Sequence, residues 1–177
     1  ALQFYLFNNT EIGTLAEQMT ALDAEVFKNF EVTGLLNQAW EKPAYEHRSL
    51  FVRRTIRRLN RLSYWFATLI LSQEKLQDRA KIMSKIIQLG KAFLELRNFH
   101  ACASIVVALN TAAVSRLKHT FTKLSSEASA DWKFISELME PSSSYKKYRA
   151  ALENAHNPLV PYVFVSSLTL TVTLTLT

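Results

Sequence analysis

Six arginines fall between Arg48 and Arg61 (Arg48, Arg53, Arg54, Arg57, Arg58 and Arg61) with no acid among them. Guanidinium groups at this density attract a polyanion, an anionic membrane or an acidic protein face. The alternative is a solvated helix face that meets acidic neighbours elsewhere in the fold. No aromatic-interleaved basic pattern accompanies the cluster, so nucleic acid is not expected as a partner. The other chemically capable residues are dispersed. His47, His100, His119 and His156 show no i, i+4 spacing and no HExxH motif, so no metal site is expected. Cys102 stands in the most apolar stretch, where it reads as a small core residue rather than a nucleophile. Ser115, Arg116 and His119 lack a positioned acid for hydrolysis, and Glu137 and Glu140 read as helix-surface acids. There is no Gly-rich phosphate loop. No catalytic residue, metal or cofactor is therefore expected, and the chemistry points to a protein that works by binding.

The composition fits one globular domain. Of 177 residues, 49% are hydrophobic and 20% charged, too apolar for disorder. With only 3 Gly and 4 Pro, a turn-dense β-sandwich is disfavoured. The single Cys excludes an intramolecular disulfide framework and fits a reducing compartment. Ala1 rather than Met at the start suggests a piece of a longer chain, and no signal-peptide pattern opens it.

The periodicity is helical almost throughout. Thr10 is placed to cap a helix whose stripe is Glu11, Leu15, Met19, Leu22, Phe27 and Phe30, with Thr20 a point where it could restart. Thr33 caps a short turn through Trp40, and Lys42-Pro43 breaks the pattern. Ser49 caps a helix to about Leu71, with Val52, Ile56, Leu59, Phe66 and Ile70 inward. Arg53, Arg57, Asn60 and Tyr64 form a second, narrow polar stripe on it, which suits a helix half buried and half offered to a partner. Ser72-x-Glu74 opens the next helix, with Leu76, Ile82, Ile86, Leu89, Phe93 and Leu96 inward and Gly90 marking a close crossing. Asn98 caps a central buried helix over Phe99 to Leu109. Shorter helices follow over Val114–Leu124, Ser129–Met139 and Tyr145–Ala155, with Ser142–Ser144 a polar loop. Two prolines hold Asn157–Pro161 extended.

Residues 157–177 carry no charge, and from Leu168 to Thr177 Leu or Val alternates strictly with Thr. That is a strand period with an aggregation-prone composition. It does not suit a transmembrane helix, since Thr and Ser interrupt the apolar residues.

Several blocks together resemble the catalytic domain of Ras-family guanine-nucleotide exchange factors. They are Leu15-Ala16-Glu17-Gln18-Met19-Thr20 with Leu22-Asp23 and Phe27, then Leu35-Leu36-Asn37-Gln38-Ala39-Trp40. Ile56-Arg57-Arg58-Leu59-Asn60-Arg61-Leu62-Ser63-Tyr64-Trp65 comes next, then Asp78-Arg79-Ala80 and Leu96-Arg97-Asn98-Phe99-His100. Ala108-Leu109-Asn110-Thr111-Ala112-Ala113-Val114-Ser115-Arg116-Leu117 with Thr120 and Phe121 is the most recognisable. Tyr145-Lys146-Lys147-Tyr148-Arg149 and Pro158-x-x-Pro161-Tyr162 close the series. The resemblance spans about residues 11 to 162 and implies an all-α, single bowl-like multi-helical domain over 1–162, with 163–177 an atypical extended tail.

The resemblance also implies a partner and a site. The partner is a Ras-family small GTPase, gripped at its switch II region through Arg57, Asn60, Asn110, Tyr145 and Tyr162, and the parent works in the cytoplasm at membranes where that GTPase is anchored. Arg and Asn supply directional hydrogen bonds, and Tyr a flat ring with a polar tip. Each has a plainer alternative: Asn110 as a helix cap, Tyr145 and Tyr162 as core rings, Arg57 as a solvated charge, Asn60 as a polar surface residue. Arg116 is expected to anchor the loop after Asn110. The family's second action, in which a helical hairpin after the Pro-x-x-Pro-Tyr block displaces switch I, has no counterpart in the residues after Tyr162, so this chain alone is expected to exchange nucleotide weakly. The competing classes are a helical adaptor that keeps the fold and binds without exchange, and a basic helical module for anionic lipid or nucleic acid.

Overall fold

Where the apolar residues recur every three to four positions the chain is helical, and Asn98 and Ser125 cap two of the helix starts with their side chains. The computed structural model describes residues 2–28, 40 and 42–162. In order these form α1 (Leu2–Asn9), α2 (Ile12–Lys28), a 3₁₀ turn at Pro43–Arg48, α3 (Leu50–Leu71), α4 (Leu76–Glu95), α5 (Phe99–Asn110), α6 (Ala112–Ser115), α7 (Lys118–Phe121), α8 (Ser126–Leu138), a 3₁₀ turn at Ser142–Ser144, and α9 (Lys146–Glu153). No strand occurs among the described residues, so the fold is all-α as the sequence implies. The Thr33 turn and the Leu/Thr alternation lie outside the described residues.

α5 is the axis of the domain. Ala101, Cys102, Ile105, Ala108 and Leu109 are wholly buried, because α3 and α4 pack closely on α5 and α2, α6 and α8 also touch it. The side chain of Asn98 caps this helix by accepting from the Ala101 N–H at 2.9 Å. Gly90 on α4 marks a close crossing: a Cβ there would lie 3.0 Å from Ile135 Cδ1 and 3.4 Å from Ile105 Cδ1.

Several boundaries differ from the sequence expectation. α1 was not expected. Thr10 closes that helix, its hydroxyl donating to the Leu6 carbonyl at 2.7 Å, instead of capping α2. α2 runs unbroken through Thr20, whose hydroxyl accepts from the Asn98 amide at 3.1 Å. Its inward stripe is Ala16, Met19 and Asp23, leaving Leu22 exposed. α3 starts after Ser49 as expected, but the Ser49 side chain does not cap it. α4 begins at Leu76, and the turn before it is held by Arg79 Nη1, which donates to the carbonyls of Gln73 and Glu74, each at 2.9 Å. Leu96 is exposed. The Val114–Leu124 stretch breaks into α6 and α7. α8 starts three residues early because Ser125, accepting from the Ala128 N–H at 3.1 Å, is its cap.

A buried polar knot ties α2, α3 and the entry to α5 together. The Asp23 carboxylate is fully buried. It accepts a charge-assisted bond from Arg58 Nε and one from the Asn98 amide at 2.9 Å. A buried carboxylate is tolerable only when paired and hydrogen-bonded in this way.

Candidate functional site

Three of the five residues implied by the sequence meet at one end of α5. Asn110 is the last residue of that helix and is exposed. Thr111 turns the chain into α6, with its own hydroxyl donating to the Ala108 carbonyl at 2.7 Å. Asn110 itself caps no helix, so its amide remains available. Arg116 Nε donates to the Ala112 carbonyl at 2.7 Å and holds the α6 turn, the anchoring role expected of it.

Tyr145 approaches the same spot from the other side. It sits just before α9 in the left-handed region (φ 59°), following Ser143 and Ser144, both at φ 53°. This conformation costs a non-glycine residue roughly 1–2 kcal/mol. Three in succession turn the chain into α9, and Tyr145 lines the same cavity as Met139 and Glu140 at the end of α8. The sequence expectation of a helix starting at Tyr145 is off by one residue for this reason.

Tyr162 arrives by a third route. The segment before it is clamped to the loop ahead of α5: the Phe99 N–H donates to the Val160 carbonyl at 2.9 Å, and the Val160 N–H to the Arg97 carbonyl at 3.0 Å. The Tyr162 N–H then donates to the Tyr148 hydroxyl at 2.8 Å. The Tyr162 ring packs edge-on to Tyr145 (centroids 6.0 Å) and Tyr148 (6.3 Å). Burial, reinforced by the neighbouring Tyr145, pushes the Tyr162 hydroxyl well above the ordinary tyrosine range, so it stays a neutral hydrogen-bonding group. At 8% exposure Tyr162 is largely a core ring that supports Tyr145.

Asn110, Tyr145 and Tyr162 line a concave site of about 440 Å³. Val106, Val107, Met139 and Pro141 give it apolar walls, and Thr111, Ser136 and Glu140 a polar edge. The sequence reading missed Val107, which is 37% exposed between the buried Val106 and Ala108 of α5, and Glu140. Nothing in an apolar run marks one valine as outward-facing.

The other two residues, both on α3, do not line this cavity. Arg57 lines a separate groove along α3. Asn60 is exposed on α3 and lines neither cavity. Cys102 and His100 are in the core. Burial pushes the Cys102 thiol far up and out of reach of a thiolate. Burial, partly opposed by the Asp23 charge, brings His100 down to about 4. Among the described residues no group of His, Cys, Asp and Glu could hold a metal ion, and no helix is long and apolar enough to cross a membrane.

The site is thus an apolar concavity on an all-α scaffold, with the exposed Asn110 amide and the Tyr145 phenol in its lining. Residues 14–175 match the RasGEF domain family, and the chain belongs to it. The match continues past Tyr162. Among curated relatives, Ras guanine nucleotide exchange factor R of Dictyostelium discoideum is 38% identical over 168 residues, covering 94% of this chain and 10% of the relative. Ras guanine nucleotide exchange factor I of the same organism is 39% identical over 158 residues, covering 88% and 19%. The human Rap guanine nucleotide exchange factor 1 is 36% identical over 149 residues, covering 84% and 13%. The chain thus spans less than a fifth of the length of these relatives.

Proposed function

We propose that this chain is the GTPase-gripping part of a guanine-nucleotide exchange factor for a Ras-family small GTPase. The observation that carries the proposal is the concave site at the end of α5, where Asn110 and Tyr145 converge from distant parts of a RasGEF-family chain. The Asn110 amide offers a donor and an acceptor, and the Tyr145 ring a flat apolar surface with a polar tip. Tyr162 acts mainly by holding Tyr145. Arg57 and Asn60 on α3 add a second line of contact to the same partner. The grip lies within residues 1–162, and deleting Ser167–Thr177 leaves it unchanged. The parent protein acts in the cytoplasm, at membranes that carry the GTPase.

Exchange requires no bond to be made or broken in this protein. If the domain binds the nucleotide-free GTPase more tightly than the GDP-loaded form, linkage requires that it weaken GDP binding by the same factor. Contact with switch II alone supplies a small difference between those states. Residues 163–177 carry neither charge nor helical period from which to build an element that displaces switch I. The polypeptide 1–177 is therefore expected to accelerate release of fluorescent GDP from a panel of Ras-family GTPases only weakly. An extended version carrying a helical hairpin after Tyr162 is expected to accelerate it strongly. Full exchange activity from 1–177 would show that the bowl suffices. Equal affinity for loaded and nucleotide-free GTPase would mark the chain as an adaptor.

A further inference from the structure

The groove that holds Arg57 is larger than the site at the end of α5 and is not explained by it. It runs between α1 and the outer face of α3 and encloses about 950 Å³. Its floor is apolar: Phe7 is buried edge-on against Trp65 (centroids 5.6 Å), with Leu15 and Leu62 beside them. Its wall is cationic. Arg54, Arg57, Arg58 and Arg61 line it, and no acidic residue does. Arg58 is committed to Asp23. Arg54, Arg57 and Arg61 are exposed, and among the described residues none of them has an ion-pair partner.

We propose that this groove docks an acidic amphipathic helix from outside residues 1–177, with its apolar face on Leu6, Leu62 and Trp65 and its carboxylates on Arg54, Arg57 and Arg61. The spacing supports this occupant. Arg54 and Arg61 are seven residues apart, about 10 Å along the helix axis, with Arg57 between them, a repeat that carboxylates at i, i+3 or i+4 and i+7 of a facing helix reproduce. The recess supports it as well, because the half-buried Leu62 and Trp65 lie where projecting side chains of a helix reach them better than a flat bilayer does. The segments of this chain outside the described residues do not supply the charge. Residues 29–39 contain one acid, Glu41 is a second, and 163–177 contain none, fewer than the three carboxylates required. Because Arg57 also belongs to the proposed GTPase contact, an occupied groove withdraws it from that contact and competes with GTPase binding.

The test uses the full chain and a fluorescein-labelled synthetic amphipathic helix of about fourteen residues, roughly 20 Å long, with Glu on one face and Leu on the other. Anisotropy is expected to show saturable binding that weakens with salt. The Arg54→Gln/Arg61→Gln variant is expected to weaken it about tenfold, since both lost charges contact the probe. A scrambled peptide of the same composition is expected not to bind, nor are vesicles of phosphatidylcholine with phosphatidylserine. The same variant should still bind the GTPase, and Asn110→Ala should still bind the peptide, so that failure of either site is read separately. Unchanged peptide binding by a folded Arg54→Gln/Arg61→Gln variant overturns the proposal, as does equal binding of the scrambled peptide. Binding to the vesicles in place of the peptide would assign the groove to a membrane and also overturn it.

Discussion

The backbone N–H of Tyr162 donates to the hydroxyl of Tyr148 at 2.8 Å, both groups being buried. One bond thereby fixes the end of the Asn157–Tyr162 segment to α9 and sets the ring that backs Tyr145. The Tyr148→Phe variant keeps the ring and removes the acceptor. Leaving the N–H unsatisfied should cost about 1–3 kcal/mol of stability, read from urea unfolding. It should also weaken partner binding, because Tyr145 loses a fixed backing.

Asp23→Ala should cost more. It removes the carboxylate that pairs with Arg58 and accepts from Asn98. Breaking one partner of a buried pair costs about 3–5 kcal/mol, and partial exposure of Arg58 places this case near the lower end. Unfolding of the purified variant by urea gives the number directly. Because Asn98 also caps α5, some of the loss should appear as earlier opening of α5 amides in hydrogen exchange.

His100 gives the fold a pH dependence. Its imidazole is buried, its folded value lies near 4 against 6.5 for the ordinary group, and neither ring nitrogen has a hydrogen-bond partner among the described residues. The unfolded chain therefore binds the extra proton first as pH falls. The stability that depends on a neutral His100 is complete above about pH 6.5 and drains away down to about pH 4. Between pH 7 and pH 5 the loss should be about 2 kcal/mol, from 1.36 kcal/mol per unit. The His100→Gln variant, which does not titrate there, should lose that slope. An identical slope in the variant would assign the dependence to other groups.

Along α5 the burial pattern predicts two opposite outcomes. Ile105→Ala should cost about 2–5 kcal/mol by leaving a cavity. Val107→Ala, at a position 37% exposed, should cost under about 0.5 kcal/mol while reducing partner binding. Thermal unfolding of the two variants side by side distinguishes a central helix from a peripheral one.

The fold class was legible because helical periodicity persists over long runs and Asn98 carries a strong capping signal. The α3 span, the burial of α5 and the close approach at Gly90 all follow from such local features. What the pattern could not carry was tertiary choice. Asp23 occupies an inward position on α2 because Arg58 and Asn98 meet it there, and no periodicity of apolar residues anticipates a buried acid. Thr10 bonds backward to Leu6 because α1 exists, and α1 has little amphipathic pattern to announce it. Of the implied site, Asn110, Tyr145 and Tyr162 share a cavity, whereas Arg57 faces a different groove. Residue types gave no sign of that separation, which depends on how α1 lies over the outer face of α3.

The central claim is that the end of α5 grips a GTPase and prefers it without nucleotide. The most direct measurement is the affinity of the chain for one Ras-family GTPase in its nucleotide-free and GDP-loaded forms, repeated with Asn110→Ala and Tyr145→Ala. The expected result is tighter binding to the nucleotide-free form, weakened by roughly 1–4 kcal/mol in each variant with the thermal midpoint nearly unchanged. No binding by the folded wild-type chain, or variants that bind as well as wild type, would contradict the account.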